Sequence, residues 1–259
     1  MEKRSAVVTG STSGIGWEIA RALAGNGYSL MLNGAVTGDA GEQKCVEIRK
    51  EFGVAAQFNG ADLADIEQCA KLIAQADESL GRIDVLVNNA GIQHVAPIES
   101  FPVKWWDAIL AINLSAAFHL MQHTLPGMRA RGWGRIVNIA SAHGLVGSPG
   151  KSAYVAAKHG LVGLTKVAAL ETAASGITCN CICPGWVKTP LVDEQIITRA
   201  ASEGITVEQA QANLLRDKHP SERFTTATQI GAMVVFLCSE AADNITGAAF
   251  AMDGGWTAQ

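Results

Sequence analysis

Tyr154 and Lys158 are four residues apart, and Ser141 lies thirteen residues before the tyrosine. On a helix, side chains at positions i and i+4 share a face, so the lysine ammonium can lie beside the phenol oxygen. A nearby opposite charge lowers the pKa of an acid by roughly 1–3 units, and a tyrosine with an ordinary pKa of about 10 needs roughly three to act as a base near neutrality. The three residue types therefore suit the deprotonation of an alcohol.

The tyrosine and lysine could also fall four residues apart by chance on an exposed helix. The only other tyrosine, Tyr28, is followed four residues later by Leu32, so Tyr154 is the sole candidate base. The required shift in the Tyr154 pKa lies at the upper end of what a single lysine can give. The positive charge of an oxidised nicotinamide ring would lower the pKa further. We predict that Tyr154 titrates at a lower pH with cofactor bound than without it.

A glycine-rich segment, Thr9-Gly10-Ser11-Thr12-Ser13-Gly14-Ile15-Gly16, follows the apolar run Ala6–Thr9. Glycines there permit a tight turn, let backbone amides approach a pyrophosphate, and allow close packing of helix on strand. Any turn into a helix can use glycine, but this one stands at the first crossover. It predicts a dinucleotide site that includes Gly10, Thr12, Ser13, Gly14, Ile15 and Gly16.

Three further segments follow predicted strands: Ala61-Asp62-Leu63, Asn88-Asn89-Ala90-Gly91 and Pro184-Gly185. Ligands of an open α/β sheet bind at the carboxyl ends of its strands, so these segments can surround adenine, support the fold beside it and contact the nicotinamide. Each alone could be ordinary turn chemistry. Together they predict a cofactor site that includes Asp62, Leu63, Asn89, Ala90, Gly91, Pro184 and Gly185.

The segment expected to select the ribose is Asn33-Gly34-Ala35. An NAD site commonly has an acidic residue about 20 residues beyond the glycines, and an NADP site has a nearby arginine. This chain has neither, and Ser13 stands in the loop where a 2′-phosphate would favour a cation. NAD is therefore favoured over NADP by exclusion.

Seven apolar runs alternate with helical patterns along the chain, and they are Ala6–Thr9, Ser29–Asn33, Ala55–Phe58, Ile83–Asn88, Arg135–Ser141, Thr178–Cys183 and Ala248–Met252. This alternation predicts an α/β fold, a Rossmann-like, doubly wound parallel sheet of seven strands. Ile15, Ile19 and Leu23 predict a first helix that ends at Gly25-Asn26-Gly27. At 259 residues the chain is expected to form one domain, residues 1–259.

Two regions outside the predicted strands suggest a substrate lid and an oligomer interface. Residues 188–220 form a polar insertion, irregular in pattern, that we expect to be a helical substrate lid. The helix beginning near Ser152 is apolar on nearly every side from Ala153 to Leu170, so it needs cover on both faces. A homo-oligomeric interface is the favoured cover, and a loop folding over the helix is the alternative.

Composition excludes several classes of function. The chain is 48% hydrophobic and 17% charged, with a formal net charge of −4, which gives no basic surface for nucleic acid. No apolar run has the length of a signal h-region or a membrane span, so a cytoplasmic protein is expected. Cys179, Cys181 and Cys183 alternate as core positions of one strand do, and zinc sites favour a different spacing, so no metal is expected.

The motifs taken in order resemble the short-chain dehydrogenase/reductase family over essentially the whole chain. They are the glycine loop, Asp62, Asn88-Asn89-Ala90-Gly91, Asn113, Ser141, the Tyr154/Lys158 pair and Pro184-Gly185. The resemblance implies that Tyr154 accepts the hydroxyl proton as hydride moves to NAD⁺, that Ser141 hydrogen-bonds the same oxygen, and that Lys158 tunes the tyrosine and holds the nicotinamide ribose. It also implies that Val187 and Thr189 contact the cofactor.

Asn113 is implied to anchor a water that relays protons to Lys158. An asparagine in a helix could equally bond its own backbone.

Finer features resemble the bacterial (R)-3-hydroxybutyrate dehydrogenases within this family. These features are Gly91-Ile92-Gln93-His94, Ser141-Ala142-His143-Gly144, Lys151-Ser152-Ala153-Tyr154, Pro184-Gly185-Trp186, Gln195 and Asp253-Gly254-Gly255-Trp256. The resemblance implies a homotetramer in ketone body metabolism that interconverts a short hydroxy acid and its keto acid.

Such a substrate needs a carboxylate clamp beside Ser141 and Tyr154. Lys151 and His143 offer charge and donors, and Gln93 and Gln195 offer amide hydrogens. Trp186 and Trp256 either form the apolar wall of the pocket or are plain core residues.

Two alternatives stay open at this point. One is a reductase of 3-oxoacyl thioesters, either acetoacetyl-CoA or 3-oxoacyl-ACP, whose long phosphorylated substrates call for an open entrance with a basic rim. The other is a cofactor-sensing binding protein that keeps the fold without catalysis. The joint presence of Tyr154, Lys158, Ser141 and Asn113 disfavours the second alternative.

Overall fold

The computed structural model describes residues 4–36 and 39–258, without the side chain of Leu191. Within these residues the strands are β1 (Ser5–Val8), β2 (Ser29–Asn33), β3 (Ala56–Asn59), β4 (Val85–Asn88), β5 (Gly134–Ile139), β6 (Ile177–Pro184) and β7 (Ala249–Met252). The α-helices are α1 (Gly14–Gly25), α2 (Ala40–Phe52), α3 (Ile66–Leu80), α4 (Val103–Leu110), α5 (Ala116–Arg131), α6 (Ser152–Thr172), α7 (Pro190–Glu203), α8 (Val207–Arg216) and α9 (Ala227–Leu237).

In the described part of the chain, seven parallel strands form one sheet in the order β3-β2-β1-β4-β5-β6-β7. Ala6 of β1 pairs with Leu30 on one side and with Val85 on the other. The strand order reverses between β1 and β4, which opens a crevice at their carboxyl ends. The predicted fold class is confirmed, and the strand bounds differ from the predicted ones by at most two residues.

Helices cover both faces of the sheet, which explains why its central strands are almost wholly apolar. On one face Leu23 of α1, Ile48 of α2 and Val234 of α9 are fully buried against the strands. On the other face Leu72 of α3 and Leu120 of α5 fill the core. The sheet is therefore fixed from both sides, and its carboxyl edge is left to carry a site.

The first crossover helix has the predicted bounds. Ile19 and Leu23 are fully buried and Ile15 packs partly buried against the same core. The helix ends at Gly25, and Gly27 follows with a φ of +84° that favours glycine. The apolar stripe and the glycine stop thus predict this helix correctly.

The 188–220 insertion is more regular than its sequence pattern indicates. It folds into the helix pair α7 and α8, which share a small apolar core of Val192, Ile196, Ala200 and Ala210. Thr206 begins α8 with a capping box that includes Gln209. The helical form predicted for this insertion is confirmed, and its role as a substrate lid stays a prediction.

The three alternating cysteines of β6 are fully buried, and the sulfurs of Cys181 and Cys183 lie 4.0 Å apart on one face. Core packing is therefore their structural role. Among residues 4–36 and 39–258, no three side chains of histidine, cysteine, aspartate or glutamate lie together as a metal site would need.

The α5 and α6 helices present apolar side chains to solvent. Phe118 is 47% exposed, Val167 51% and Leu170 81%, so no described loop folds over this face. In the described part of the chain no helix is both long and apolar enough to span a bilayer.

Candidate active site

A cleft of about 600 Å³ opens at the carboxyl ends of the strands, beside the reversal between β1 and β4. Every residue predicted to bind cofactor or substrate lines it, from the glycine loop at one end to Trp256 at the other. Ser141, Tyr154 and Lys158 also line it, and Asn113 lies behind its wall. The fold thus brings the predicted residues into one site, and their roles there stay predictions.

The glycine loop has the backbone conformation that glycine permits. Gly10 has a φ of +59° and Gly14 a φ of +55°. A Cβ on Gly16 would lie 2.2 Å from the carbonyl oxygen of Gly10, so helix α1 can approach the loop only with glycine at this position. Thr189, at the start of α7, lies over Gly14, where a Cβ would meet its methyl group at 3.8 Å.

The N-terminus of α1 fits an anionic group. Ser13 makes no side-chain cap bond, and the first turn carries no acidic residue. The first amides of a helix have no partner within it and concentrate positive potential at that end. A pyrophosphate can accept hydrogen bonds there, so the loop fits a dinucleotide.

Asn89 and Thr9 fix the shape of this loop. The Asn89 side-chain amide donates to the carbonyl oxygens of Thr9 and Gly10 at 2.9 and 3.1 Å. The Thr9 hydroxyl accepts the N–H groups of Asn89 and Ala90 at 3.0 and 3.1 Å. These bonds tie the end of β4 to the end of β1, which is the supporting role expected for the segment.

Asn33, at the end of β2, is a structural residue. Its amide nitrogen donates to the carbonyls of Asn59 and Ala61, both at 3.1 Å, and its oxygen accepts the Gly10 N–H at 3.4 Å. Gly34, Ala35 and Val36 continue along the cleft. The adenosine end of the cleft therefore has neutral walls in this segment, apart from Asp62, which accepts the Ala64 N–H at 2.9 Å.

Tyr154 and Ser141 both line the cleft, and the Ser141 hydroxyl is close enough to act on the Tyr154 phenol by hydrogen bonding. Burial raises the pKa of Tyr154 above its usual value, and the smaller effect of the Ser141 hydrogen bond lowers it. Without cofactor the phenol is therefore the stable form. The prediction of a lower Tyr154 pKa with cofactor bound stays a prediction.

Lys158 is buried one helical turn beyond Tyr154. Its ammonium donates to the Ile139 carbonyl at 2.8 Å and lies 5.6 Å from the centre of the Tyr154 ring. Burial lowers the pKa of Lys158 to about 8. The lysine is therefore charged below pH 8 and loses its proton more easily than an exposed lysine.

Asn113 lies in a π-helical turn, Ala111–Ser115, between α4 and α5. Its side-chain oxygen accepts the Ile92 N–H at 2.9 Å, and its nitrogen donates to the Ile92 carbonyl at 3.0 Å. The alternative that it bonds its own helix is wrong, because both bonds run to a distant loop. Asn113 thereby positions the backbone next to Gln93, which lines the cleft.

His143 presents an unsatisfied nitrogen at the substrate end. Its Nε2 is buried and has no hydrogen-bond partner within the described residues, and the same is true of the Trp186 indole nitrogen. Burial, followed by the charges of Lys151 and Lys218, lowers the pKa of His143 to about 4. His143 is therefore neutral at pH 7 in this cleft, where it can offer a hydrogen-bond donor while Lys151 offers the charge. The roles of both residues in substrate binding stay predictions.

Lys151 is the cation at this end of the cleft. Its ammonium lies 5.2 Å from the centre of the Trp186 ring, and it forms no ion pair within the described residues. Trp186 and Trp256 stack with ring centres 6.2 Å apart, and Trp256 meets His143 edge-on at 5.0 Å. Both tryptophans line the cleft, so they are more than core residues.

His219 is a site residue that the sequence pattern does not reveal. It is fully buried, its Nε2 accepts the Trp186 backbone N–H at 2.7 Å, and its Nδ1 is 2.8 Å from the Arg223 carbonyl, which identifies Nδ1 as the donor. A Cβ on Gly185 would lie 2.2 Å from its ring. The only sequence signal is a histidine before Pro220, directly after the insertion's second helix.

Comparison with known proteins assigns the chain to a family. The family model described as Enoyl-(Acyl carrier protein) reductase matches residues 10–257. A D-beta-hydroxybutyrate dehydrogenase of Cupriavidus necator is 54% identical over 256 residues and is aligned over 99% of this chain and 98% of its own length. The chain belongs to the short-chain dehydrogenase/reductase family.

Two further members of the short-chain dehydrogenase/reductase family are similar over nearly their whole lengths. A D-beta-hydroxybutyrate dehydrogenase of Rhizobium meliloti is 48% identical over 256 residues, which is 99% of each chain. The L-sorbose reductase of Gluconobacter frateurii, solved in complex with NADPH and L-sorbose, has a TM-score of 0.94 at 30% identity and covers 100% of this chain and 98% of its own. The predicted family and the resemblance to hydroxybutyrate dehydrogenases are confirmed.

Proposed function

We propose that this protein is an oxidoreductase that interconverts (R)-3-hydroxybutyrate and acetoacetate with NAD. The observation that carries the proposal is the substrate end of the cleft, where an ammonium without an ion pair and two unsatisfied buried nitrogens line the same cleft as Tyr154 and Ser141. Buried polar atoms normally have hydrogen-bond partners, so buried nitrogens without such partners indicate that a ligand binds there. The two similar D-beta-hydroxybutyrate dehydrogenases support the choice of substrate.

The carboxylate of a short hydroxy acid suits these donors. The Lys151 ammonium can move from the face of Trp186 to the anion. Neutral His143, in the tautomer that carries its proton on Nε2, can donate a hydrogen bond to the same anion. Gln93 and Gln195, which also line the cleft, add amide hydrogens. The stacked tryptophans then limit the space for the alkyl chain.

The hydroxyl group lies at Tyr154 and Ser141 in this arrangement. Ser141 hydrogen-bonds the substrate oxygen, and the Tyr154 phenolate takes its proton as the C–H hydride leaves. The bound nicotinamide supplies the acceptor for that hydride. Lys158, charged below pH 8, holds the phenolate form and contacts the nicotinamide ribose. Asn113 positions the neighbouring loop, and its water relay to Lys158 is part of the proposal.

NAD is proposed over NADP because the described residues at the adenosine end of the cleft include no cation. Asn33, Gly34, Ala35 and Val36 line it without a positive charge, and Ser13 stands in the glycine loop. An NADP 2′-phosphate needs such a partner. Asp62, Leu63, Val187 and Thr189 complete the proposed cofactor contacts.

The exposed face of α5 and α6 supports the proposed homotetramer. Phe118, Val167 and Leu170 would otherwise hold apolar side chains in water. Sedimentation of the purified protein at micromolar concentration tests this, and a monomer there removes the proposal. The cytoplasmic location, the role in ketone body metabolism and the single-domain extent of residues 1–259 belong to the same proposal.

Absorbance at 340 nm tests the function directly. We expect the protein to form NADH from (R)-3-hydroxybutyrate and NAD, with the (S) enantiomer, 3-hydroxybutyryl-CoA and NADP as comparison substrates. Faster turnover of the thioester than of the free acid would favour the 3-oxoacyl-thioester reductase instead. An absence of turnover with every hydroxy acid and thioester would favour the non-catalytic, cofactor-sensing alternative.

A further inference from the structure

Lys218 is a second cation at the substrate end, outside the wall of the cleft. It follows α8, is half-buried, and holds its ammonium 5.6 Å from the centre of the Trp256 ring. Trp256 in turn stacks on Trp186, and Lys151 lies against Trp186. Two stacked indoles are thus flanked by two ammonium groups.

The charge of Lys218 is not neutralised by an acid within the described residues. The adjacent Asp217 carboxylate is engaged by Arg199 at 3.0 Å. Asp253, three residues before Trp256, accepts the N–H groups of Gly255 and Thr257 at 3.0 and 2.9 Å. Both carboxylates therefore have other partners, and among the described residues the Lys218 ammonium lies over an aromatic face.

Lys218 acts on the polar groups of the cleft from this position. Burial is the largest cause of the lowered pKa values of His143 and Lys151. The positive charge of Lys218 also lowers both pKa values, and for His143 it ranks after the charge of Lys151. The titratable groups that affect His143 in this way are Lys151, Lys218 and His159. An anion next to His143 and Lys151 is attracted by the same charge that disfavours further protons there.

We propose that Lys218 is a specificity-determining residue that recruits carboxylate substrates by its charge, acting across Trp256 rather than by contact. The inference rests on the proposed function and deepens it. Trp256 lines the cleft and carries the Lys218 ammonium on its face, so the charge acts over a distance and its effect is weakened by salt. Lys218 therefore favours the binding of an anion, and the chemical step at Tyr154 does not depend on it.

The test is Lys218→Met, which keeps the apolar stem and removes the charge. The matched control is Lys44→Met, because Lys44 also lies over an indole, 4.4 Å from the centre of Trp17, and neither Lys44 nor Trp17 lines the cleft. For (R)-3-hydroxybutyrate we expect Lys218→Met to raise KM about fivefold, with kcat unchanged. The effect should shrink in about 1 M salt, where the Debye length falls to about 3 Å.

Methyl 3-hydroxybutyrate and 3-hydroxybutyryl-CoA are the comparison substrates. The neutral ester should show the same KM with wild type and variant. A KM that is unchanged for the acid, a rise that persists in high salt, or an equal rise for the ester would overturn the proposal. A larger effect on the thioester than on the acid would also overturn it, since the charge would then serve a phosphorylated arm.

A measurement independent of activity separates this proposal from the proposed function. In an NMR titration the pKa of His143 should rise in Lys218→Met and stay constant in Lys44→Met. If the wild type proves inactive towards hydroxy acids, the proposed function fails but this shift still reports the field of Lys218. A His143 pKa that does not move in Lys218→Met would refute the inference itself.

Discussion

Replacing His219 by leucine removes the acceptor of the Trp186 backbone N–H while keeping a side chain of similar bulk. That bond is 2.7 Å long and partly buried, and the His219 side chain itself is fully buried. A buried donor left without a partner costs about 1–3 kcal/mol, and in a domain of this size each kcal/mol lowers Tm by about 2–4 °C. We therefore expect His219→Leu to lower Tm by about 2–12 °C.

The same substitution should widen the substrate end of the cleft. His219 holds the Trp186 backbone, and its ring lies 6.1 Å from that of Trp256. Losing both contacts should raise KM for (R)-3-hydroxybutyrate about tenfold, reduce kcat little, and relax the preference for short chains over 3-hydroxyvalerate and 3-hydroxyhexanoate.

Thermal unfolding and steady-state kinetics check this prediction with two companion variants. His219→Gln restores an acceptor near the former Nε2, so it should recover much of the KM and of the chain-length preference. His159→Leu is the control, because His159 is exposed and interacts with Val155 of its own helix. A His219→Leu protein with wild-type Tm and wild-type chain-length preference would refute the positioning role.

Three further predictions concern the base, a buried imidazole and the glycine loop. Tyr154→Phe should lower kcat about 10²–10⁴-fold in the 340 nm assay, because general-base catalysis at the phenol oxygen is lost, while the affinity for NADH measured by fluorescence stays constant. As pH falls from 6.5 towards 4, the unfolded chain protonates His143 while the folded protein does not, so the free energy of unfolding should drop by about 3 kcal/mol in wild type relative to His143→Gln, measured by urea titration. Gly16→Ala should weaken NADH binding at least about tenfold, because its Cβ would lie 2.2 Å from the Gly10 carbonyl oxygen.

Each of these has an outcome that contradicts it. Tyr154→Phe with wild-type kcat would remove the proposed chemistry altogether. Parallel pH profiles of stability for wild type and His143→Gln would show that His143 is not held neutral in the folded protein. For the loop, Gly127→Ala is the control, since a Cβ there meets only the flexible end of Arg131 at 3.2 Å; an equal loss of NADH affinity in both glycine variants would refute the steric argument.

The sequence predicts those parts of the molecule that local chemistry determines. The apolar runs give the strands because a parallel sheet is buried on both faces, and the Tyr154/Lys158 spacing places both side chains in one cleft because α6 carries them on one face. The glycine loop is equally local, since positive φ at Gly10 and Gly14 requires glycine.

What the sequence does not predict depends on contacts between distant segments. His219 acquires its position from Gly185 and Trp186, more than 30 residues away, and no periodicity marks it. The neutral state of His143 follows from burial that only the folded cleft provides. The helical form of the 188–220 insertion was predicted, but the bounds of its two helices were not, because they pack on a small core of their own rather than on the sheet.

The reactivity of the six cysteines can report local opening of the protein's core. All six thiols are free and buried, and burial raises the pKa of Cys45 and Cys69 to about 11 and of Cys179 and Cys238 to about 12. A thiol in that state reacts with alkylating reagents only when the packing around it opens. Because Cys45 and Cys69 lie on opposite faces of the sheet, their labelling rates in one sample would time the loosening of each layer separately.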